Sequence, residues 1–297
     1  MNKTIFEGVA TALITPFNEG GKGIDYESFG RLIDWQIEQG INALVVCGTT
    51  GESSTLSDDE HRDAITFAVK RAKGRVPIIA GAGSNDTAYA IDLAKCACRS
   101  GADALLCVTP YYNKCTQRGL VQMFTQIADA SSVPVILYNV PTRTCTNIEP
   151  STYLELSSHP NICAIKEASG NISKAIDTMS MVGDKLDMYS GNDDQILPFM
   201  ALGAKGVISV LSNVIPAETV EMCDRYFRGD TKGCAELQYK YLPLIHALFS
   251  EVNPIPVKAA MQKMGFCNGS LRLPLTEMEE KNKQVLFAEM KKLGIID

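Results

Sequence analysis

The stretch that decides the fold is ICAIKEASG, residues Ile162–Gly170. Its first four residues are apolar, and turn-forming residues stand on either side, a pattern typical of a strand buried on both faces. Because side chains alternate along a strand, Ala164, Lys166 and Ala168 are predicted to share one face. Lys166 is therefore predicted to end a buried strand among small neighbours that leave room around its amine.

A lysine in this position has two interpretations. Burial disfavours the charged ammonium form, and a neutral amine can attack a carbonyl carbon to form a Schiff base. Alternatively, Lys166 emerges from the sheet and pairs with Glu167, which is the commoner arrangement for a lone lysine at a strand end. The stretch alone leaves both interpretations open.

Apolar runs alternate with amphipathic helical segments on both sides of this strand. Eight strand–helix units, with no GxGxxG after the first strand, favour an α/β fold of the (β/α)8 TIM-barrel type over a doubly wound sheet. Residues 1–230 are predicted to form the barrel, and residues 231–297 a C-terminal helical extension packed on it. The predicted strands are Val9–Thr15, Ala43–Cys47, Pro77–Ala80, Ala104–Val108, Val135–Asn139, Ile162–Glu167, Asp187–Ser190 and Gly206–Val210.

The composition is that of a globular protein with a large core. Of 297 residues, 45% are hydrophobic and 21% charged, and the net charge of −6 disfavours a nucleic-acid or anionic-membrane partner. The N-terminus has no signal-peptide pattern, and no apolar run approaches the length of a membrane span. The ten cysteines form no CxxC motif, which favours a reduced, cytoplasmic protein that uses cysteine in its core.

Catalytic residues of a barrel gather at the C-terminal ends of its strands. After the second predicted strand, the segment GTTGE forms a tight turn whose amides and hydroxyls, those of Thr49 and Thr50, can hold a carboxylate. The same pattern is equally compatible with an ordinary turn that leads into a helix. The turn is therefore a candidate anion site.

Two further strand ends carry tyrosines and an arginine. Tyr138 is predicted to face the barrel interior, either as a proton donor and acceptor beside the strand-end lysine or as a core tyrosine bonded to backbone. Arg143 is either a bidentate clamp for a carboxylate or a solvated surface arginine. Tyr111 and Tyr112 are either site residues or packing and interface residues.

Metal and cofactor sites are not predicted. The three histidines are scattered, no HExxH motif is present, and neither a P-loop nor a GxSxG nucleophile motif occurs. Ser57-Asp58-Asp59-Glu60 is predicted to be a capping box at a helix start. The acids of Asn192-Asp193-Asp194 are likewise interpreted as helix caps and not as metal ligands.

A family resemblance is carried by eight motifs, which in chain order are GTTGE, TPYYNK, YNVPTRT, IKEASGN, SGNDDQ, GVISVLSNVIP, NPIPVK and LRLPL. This set closely resembles the dihydrodipicolinate (4-hydroxy-tetrahydrodipicolinate) synthase family. That family belongs to the pyruvate-dependent class I aldolases, which also include N-acetylneuraminate lyase. The resemblance runs from about Phe6 to Leu275 and favours the Schiff-base interpretation of Lys166.

The resemblance implies a catalytic set. Lys166 would form the Schiff base with pyruvate, and the resulting enamine would attack the aldehyde of aspartate semialdehyde. Tyr138 would shuttle protons over the imine. Thr49 would link Tyr138 to Tyr112, a residue that reaches in from the neighbouring subunit of a tight dimer within a homotetramer.

The resemblance also implies how the substrates are held. Thr49 and Thr50 would hold the pyruvate carboxylate, and Arg143 the carboxylate of the aldehyde substrate. The rest of the pocket would be lined by Gly191 and Ile208. The family usually has glycine at Cys145, so the backbone after Arg143 is predicted to have less freedom here.

Two other functions remain in view. An N-acetylneuraminate lyase or a 2-keto-3-deoxy sugar acid aldolase would use the same imine chemistry, but its substrate does not need an arginine at position 143. A barrel that serves only as a binding or regulatory protein would not react with pyruvate. The presence of the whole catalytic set disfavours that last alternative.

A candidate regulatory site for lysine is also implied, because lysine-inhibited members bind the product at the dimer interface. Tyr89 stands where those enzymes carry a glutamate that pairs with the amino group of lysine, so inhibition is predicted to be weak or absent. The matching positions are Ser53, Ser54, Asp58, His61, Asn85, Tyr89 and Tyr111.

Overall fold

Eight short strands form one closed parallel barrel in the computed structural model, which describes residues 4–297. The barrel closes where β8 pairs with β1, with Gly206 level with Gly8 and Ile208 level with Ala10. The prediction of a (β/α)8 barrel with C-terminal helices is confirmed. The strands are β1 Gly8–Ala12, β2 Ala43–Val46, β3 Ile78–Gly81, β4 Ala104–Val108, β5 Val135–Asn139, β6 Ile162–Glu167, β7 Asp187–Ser190 and β8 Gly206–Ser209.

Helices connect the strands and continue beyond the barrel. The predicted capping box is confirmed at the start of α2, where the Ser57 hydroxyl accepts from the Glu60 amide and the Glu60 carboxylate accepts from the Ser57 amide. The helices are α1 Tyr26–Glu38, α2 Asp58–Ala72, α3 Thr87–Ser100, α4 Gln117–Asp129, α5 Pro141–Thr144, α6 Pro150–Leu156, α7 Ile172–Val182, α8 Ile196–Ala201, α9 Pro216–Phe227, α10 Thr231–Leu248, α11 Ile255–Lys263 and α12 Glu280–Lys292.

The strand side chains divide into two apolar layers. One layer fills the barrel interior and includes small residues from alternating positions, such as Ala10, Ala43, Ala104 and Ala164. The other lies between the sheet and the helices. The register between β5 and β6 shifts before Ala164. From Ala164 onwards, the side chains of β6 alternate between the two faces as predicted, with Ala164 and, directly after the strand, Ala168 in the inner layer and Ile165 in the outer one.

Some predicted boundaries were wrong. The first strand ends at Ala12 and not at Thr15, because the Ile14 amide donates to the Asn213 side chain (3.2 Å). The short helix α5 was not predicted. A helix predicted to follow β7 consists of a 3-10 turn, Asp193–Gln195, and the separate helix α8.

The C-terminal segment is anchored to the barrel by charged contacts. Arg272 donates to both carboxylate oxygens of Glu60 on α2, each at 2.6 Å. Lys258 on α11 forms an ion pair of 2.5 Å with Glu52, and both side chains are 1% exposed. The first helix of the predicted extension begins at Thr231. The division of the chain into two units at residue 230 stays a prediction.

The Arg272–Glu60 pair makes the stability of the protein sensitive to acid. The Arg272 guanidinium and the hydrogen bonds to Ser57 hold the pKa of Glu60 at about 2, against an ordinary value of 4.5. Because the pKa is lower in the folded state, the stabilisation is present above about pH 4.5 and is lost as the pH falls towards 2.

We expect Glu60→Gln to lower the free energy of unfolding at neutral pH by about 1–2 kcal/mol, a value that allows for the partial exposure of the pair. The variant should also lose less thermal stability than the wild type between pH 5 and pH 3. Circular dichroism melts at several pH values provide the measurement. Glu236→Gln, at an exposed glutamate 3.9 Å from Lys232, is the matched control. Parallel wild-type and Glu60→Gln curves would contradict the expectation.

Candidate active site

Lys166 lies where β6 ends, with its side chain in the barrel interior. The residue is 6% exposed, and its Cα is level with Tyr138 on β5 and Tyr189 on β7. Its Nζ lies 4.3 Å from the centre of the Tyr138 ring, at cation–π distance. The structure thus brings together the two residues on which the predicted imine chemistry depends, and the inward orientation predicted for Tyr138 is confirmed.

The alternative in which Lys166 pairs with Glu167 was wrong. Glu167 lies on the other face of β6, where its carboxylate accepts from the Asn139 side chain (3.0 Å) and the Ser169 amide (2.7 Å). Among the ion pairs and hydrogen bonds described for residues 4–297, none involves the Lys166 amine. The amine is therefore available for chemistry.

Gly191 lies beside Lys166, and Ile208 lies in the same interior layer of the barrel as Tyr138. A Cβ atom at position 191 would lie 3.2 Å from Cε of Lys166 and 2.6 Å from Cβ of Ala168, so a side chain there would collide with the site. The Gly191 amide donates to the Glu167 carbonyl (2.7 Å), which fixes this close approach. Ile208 is 1% exposed and belongs to the same interior layer as Tyr138.

The GTTGE turn after β2 is held from several sides. Within the turn, the Gly51 amide donates to the Gly48 carbonyl and the Glu52 amide to the Thr49 carbonyl, both at 3.1 Å. The Thr50 hydroxyl accepts a hydrogen bond of 3.0 Å from the Asn253 side chain. The turn is thus preorganised, as a site that binds an anion through amides and hydroxyls requires.

Arg143 stands on α5, at the C-terminal end of β5. Its Nη2 donates to the Asn253 carbonyl (3.0 Å). The next turn of the chain depends on Cys145, which adopts φ +53°, a left-handed conformation that glycine adopts more easily. Cys145 thus adopts, at a conformational cost, a backbone that glycine would adopt freely. Arg143 and Thr49 line one cavity of about 390 Å³.

The residues predicted to bind lysine extend this cavity. Ser53, Ser54, His61, Tyr89 and Tyr111 all line it. The Asn85 side chain donates to the Tyr111 carbonyl (3.1 Å). The His61 ring is buried, with Nε2 2.7 Å from the Gly81 carbonyl oxygen, and burial lowers its pKa.

Tyr89 and Asp58 are engaged with each other. The Tyr89 hydroxyl donates to the Asp58 carboxylate, and Arg62 lies 3.5 Å from the same carboxylate. Burial, followed by the contact with Asp58, raises the pKa of Tyr89 to about 12. The contact with Tyr89 holds the pKa of Asp58 below its usual range. Asp58 is thus already partnered.

Tyr112 is not brought into the site within one chain. Its side chain is 94% exposed, and its backbone is left-handed, with φ +71°. The neighbouring Tyr111 is 37% exposed. An aromatic ring held in solvent on a strained backbone is the arrangement expected of a residue that contacts another molecule.

Sequence reasoning missed two residues near the site. Asn253, whose only signal was the NPIPVK motif, contacts both Thr50 and Arg143. Asp193 was interpreted as a cap of its own helix, which was wrong, because its carboxylate accepts from the amides of Val210 (3.0 Å) and Leu211 (2.9 Å) after β8. Burial raises the pKa of Asp193, against these hydrogen bonds.

Residues 4–297 contain no cluster of three or more histidine, cysteine, aspartate or glutamate side chains that could hold a metal ion. In this part of the chain, no helix is both long and apolar enough to cross a membrane. All ten cysteines are free thiols, and burial raises the pKa of Cys163, on β6, to about 12.

Residues 5–293 match the model of the dihydrodipicolinate synthetase family. The chain belongs to this family. A relative from Lachnoclostridium phytofermentans, named 4-hydroxy-tetrahydrodipicolinate synthase, is 53% identical over 98% of this chain and 99% of its own. The family resemblance predicted from the motifs is confirmed.

Solved structures of family members have the same fold as this chain. The dihydrodipicolinate synthase of Aquifex aeolicus is 46% identical and superposes with a TM-score of 0.95, over 98% of this chain and 99% of that one. The enzyme of Cyanidioschyzon merolae, solved with lysine bound, is 38% identical, with a TM-score of 0.96 over 99% of this chain and 100% of that one.

Proposed function

We propose that this enzyme condenses pyruvate, as an enamine on Lys166, with L-aspartate 4-semialdehyde to give 4-hydroxy-tetrahydrodipicolinate, the committed step towards diaminopimelate and lysine. The observation that carries the proposal is the Lys166 amine, which is buried, has no hydrogen bond or close ion pair within residues 4–297, and lies 4.3 Å from the centre of the Tyr138 ring. Relatives about 50% identical over nearly the whole chain, which are named for this reaction, support it.

The chemistry begins at the Lys166 amine. It adds to the ketone carbon of pyruvate, and loss of water gives a protonated imine that acidifies the methyl group. Loss of a methyl proton yields the enamine, whose carbon attacks the aldehyde carbon and re-forms the imine. The amino group of the aldehyde substrate then adds to the imine carbon and displaces the Lys166 amine as the ring closes. Tyr138, whose ring centre lies 4.3 Å from the amine, would move these protons, and Thr49 would connect it to a partner's Tyr112. The imine itself is the electron sink, so the proposed reaction needs no cofactor.

Substrate binding is assigned to the residues around this centre. Thr49 and Thr50 would hold the pyruvate carboxylate at the GTTGE turn, and Gly191 and Ile208 would line the pocket. Arg143, which lines the same cavity as Thr49, would bind the carboxylate of the aldehyde substrate. Because that arginine suits an amino-acid-derived aldehyde, it favours the synthase over a lyase for sialic or keto-deoxy sugar acids.

We also propose that the working enzyme is a cytoplasmic homotetramer built from two tight dimers. The supporting observation is the 94% exposure of Tyr112, which one chain leaves outside its own site. A neighbouring subunit that received this ring would bury it and complete the proton relay.

The imine step is tested by trapping. Borohydride added with pyruvate should attach one reduced pyruvyl group to the peptide that carries Lys166, because hydride reduces an imine to a stable amine. Intact-mass and peptide analysis provide the measurement. Lys166→Ala should prevent the labelling, and Lys232→Met, which removes an exposed lysine on α10, should not. Labelling of a different lysine would overturn the mechanism, and cleavage of sialic acid without turnover of aspartate semialdehyde would favour the lyase.

The shared site is tested by complementation. Tyr112→Phe should lose most activity, since the relay loses its hydroxyl. When it is mixed with inactive Lys166→Ala protein under conditions of subunit exchange, part of the activity should return, because one site of a mixed dimer then has both native residues. Each variant incubated alone is the control. If mixed dimers, verified by native mass spectrometry, remain inactive, Tyr112 acts within its own chain.

Inhibition by lysine is expected to be weak because Tyr89 does not supply the negative charge that a glutamate at this position would offer to the amino group of lysine. An ammonium left buried without its anionic partner loses about 2–5 kcal/mol of binding, and each 1.4 kcal/mol is about tenfold in affinity. Asp58 is the nearest replacement, but it already accepts from the Tyr89 hydroxyl.

We therefore expect weak or absent inhibition by lysine and partial recovery of inhibition in Tyr89→Glu. Initial rates at increasing lysine concentrations provide the measurement. Tyr89→Gln, which has the shape of glutamate without its charge, should remain insensitive. Inhibition of the unmodified enzyme by sub-millimolar lysine would contradict the expectation.

A further inference from the structure

Asn253, between α10 and α11, contacts both residues assigned to substrate carboxylates. Its side-chain Nδ2 donates to the Thr50 hydroxyl oxygen (3.0 Å), and its backbone carbonyl accepts from Arg143 Nη2 (3.0 Å). The residue is 7% exposed and Thr50 is 2% exposed, so water competes little for these hydrogen bonds. One residue of the C-terminal segment thus contacts both the GTTGE turn and α5.

The contact with Thr50 sets the direction of a hydroxyl group. A carboxamide nitrogen donates and does not accept, so it occupies a lone pair of the Thr50 oxygen and leaves the hydroxyl hydrogen free. A buried hydroxyl hydrogen requires an acceptor, and a carboxylate at the turn would supply one. Thr50 is thereby prepared as a donor to an anionic ligand.

The orientation of the Asn253 side chain carries a cost. When Nδ2 donates to the Thr50 hydroxyl, the buried Oδ1 has no hydrogen-bond partner among residues 4–297. A buried acceptor without a donor lowers stability. A local arrangement that is unfavourable for folding and that lies beside a candidate site points to a role in binding.

The turn itself does not depend on the Asn253 side chain. Glu52, which ends the turn, forms the buried 2.5 Å ion pair with Lys258, and its other carboxylate oxygen accepts from the Arg272 amide (3.2 Å). The Thr15 hydroxyl donates to the Gly51 carbonyl (2.8 Å). Replacement of Asn253 should therefore alter the hydroxyl of Thr50 and leave the backbone of the turn in place.

We propose that Asn253 is a positioning residue for the pyruvate carboxylate, which it serves by directing the Thr50 hydroxyl hydrogen towards that carboxylate. The inference rests on the proposed function and deepens it. It also predicts that a substitution of the Asn253 side chain affects the binding of the two substrates to different extents. Arg143 is held by the backbone carbonyl of Asn253, which a side-chain substitution leaves in place, so the binding of the aldehyde substrate should change less than the binding of pyruvate.

The experiment compares Asn253→Ala and Asn253→Asp with the wild type. The aspartate accepts the Thr50 hydrogen and adds a negative charge near an anionic substrate, so KM for pyruvate should rise tenfold or more. The alanine leaves the hydroxyl free to rotate, so KM should rise several-fold. In both variants kcat and KM for the aldehyde should change less than KM for pyruvate. The pyruvate concentration that half-saturates borohydride trapping should rise in parallel.

Asn161→Ala is the matched control. The Asn161 side chain donates to the carbonyls of Ala128 (3.2 Å) and Ser131 (2.8 Å), so its loss weakens the fold without contact with the site. This variant should have a lower melting temperature and an unchanged KM for pyruvate. A rise in KM that simply follows lost stability, and so appears in Asn161→Ala as well, would overturn the inference.

A double-mutant cycle keeps the inference testable if Asn253→Asp does not fold. Thr50→Val removes the hydroxyl, so Asn253→Ala should add no further increase in KM for pyruvate in that background. Full additivity, or a wild-type KM in both Asn253 variants, would overturn the inference. Absence of borohydride labelling in the wild type is a different outcome, because it overturns the proposed function itself.

Discussion

The closure of the parallel sheet is the constraint on which the rest of the structure depends. Once β8 pairs with β1, every strand has an inner and an outer face, and the inner layer admits mainly small and β-branched side chains. The alternation of side chains along each strand then decides which residues face inward at the C-terminal end of the barrel. On β6 it places Lys166 inside, beside the inward-facing Tyr138 of β5.

Two buried lysines show how surroundings decide the role of one residue type. Lys258 is paired with Glu52 and donates to the Ser270 carbonyl (2.7 Å), so its charge is compensated inside the protein. Lys166 lies against an aromatic ring, and no carboxylate of residues 4–297 lies within ion-pair distance of its amine, although the buried Asp193 carboxylate is near enough to interact with its charge. The first is therefore suited to fixing structure and the second to reacting with a carbonyl group.

The C-terminal segment contributes to the site as well as to the fold. Lys258 and Arg272 hold Glu52, at the end of the GTTGE turn, while Asn253 reaches Thr50 and Arg143. The barrel supplies the amine that is proposed to react, and the segment arranges the groups that would meet the carboxylates. The segment that follows the barrel is therefore part of the support of the candidate site as well as of the fold.

The sequence by itself determined the features that depend on neighbouring residues. Strand alternation is a local property with a period of two, so the inward face of Lys166 and Tyr138 was predictable, as was the capping box at Ser57. The strands β4 to β7 were predicted with their observed bounds for the same reason. The motif set also identified the family before any geometry was known.

Only the tertiary structure decided the contacts between distant parts of the chain. Asn253 and Thr50 are 203 positions apart, and Asp193 accepts from amides 17 and 18 positions away. Such partners meet because the barrel closes and the C-terminal helices dock on it, and no local pattern encodes that approach. The exposure of Tyr112 is likewise a property of the folded chain. The local sequence around a tyrosine in a loop after a strand does not distinguish a ring that packs inside from one that faces a second subunit.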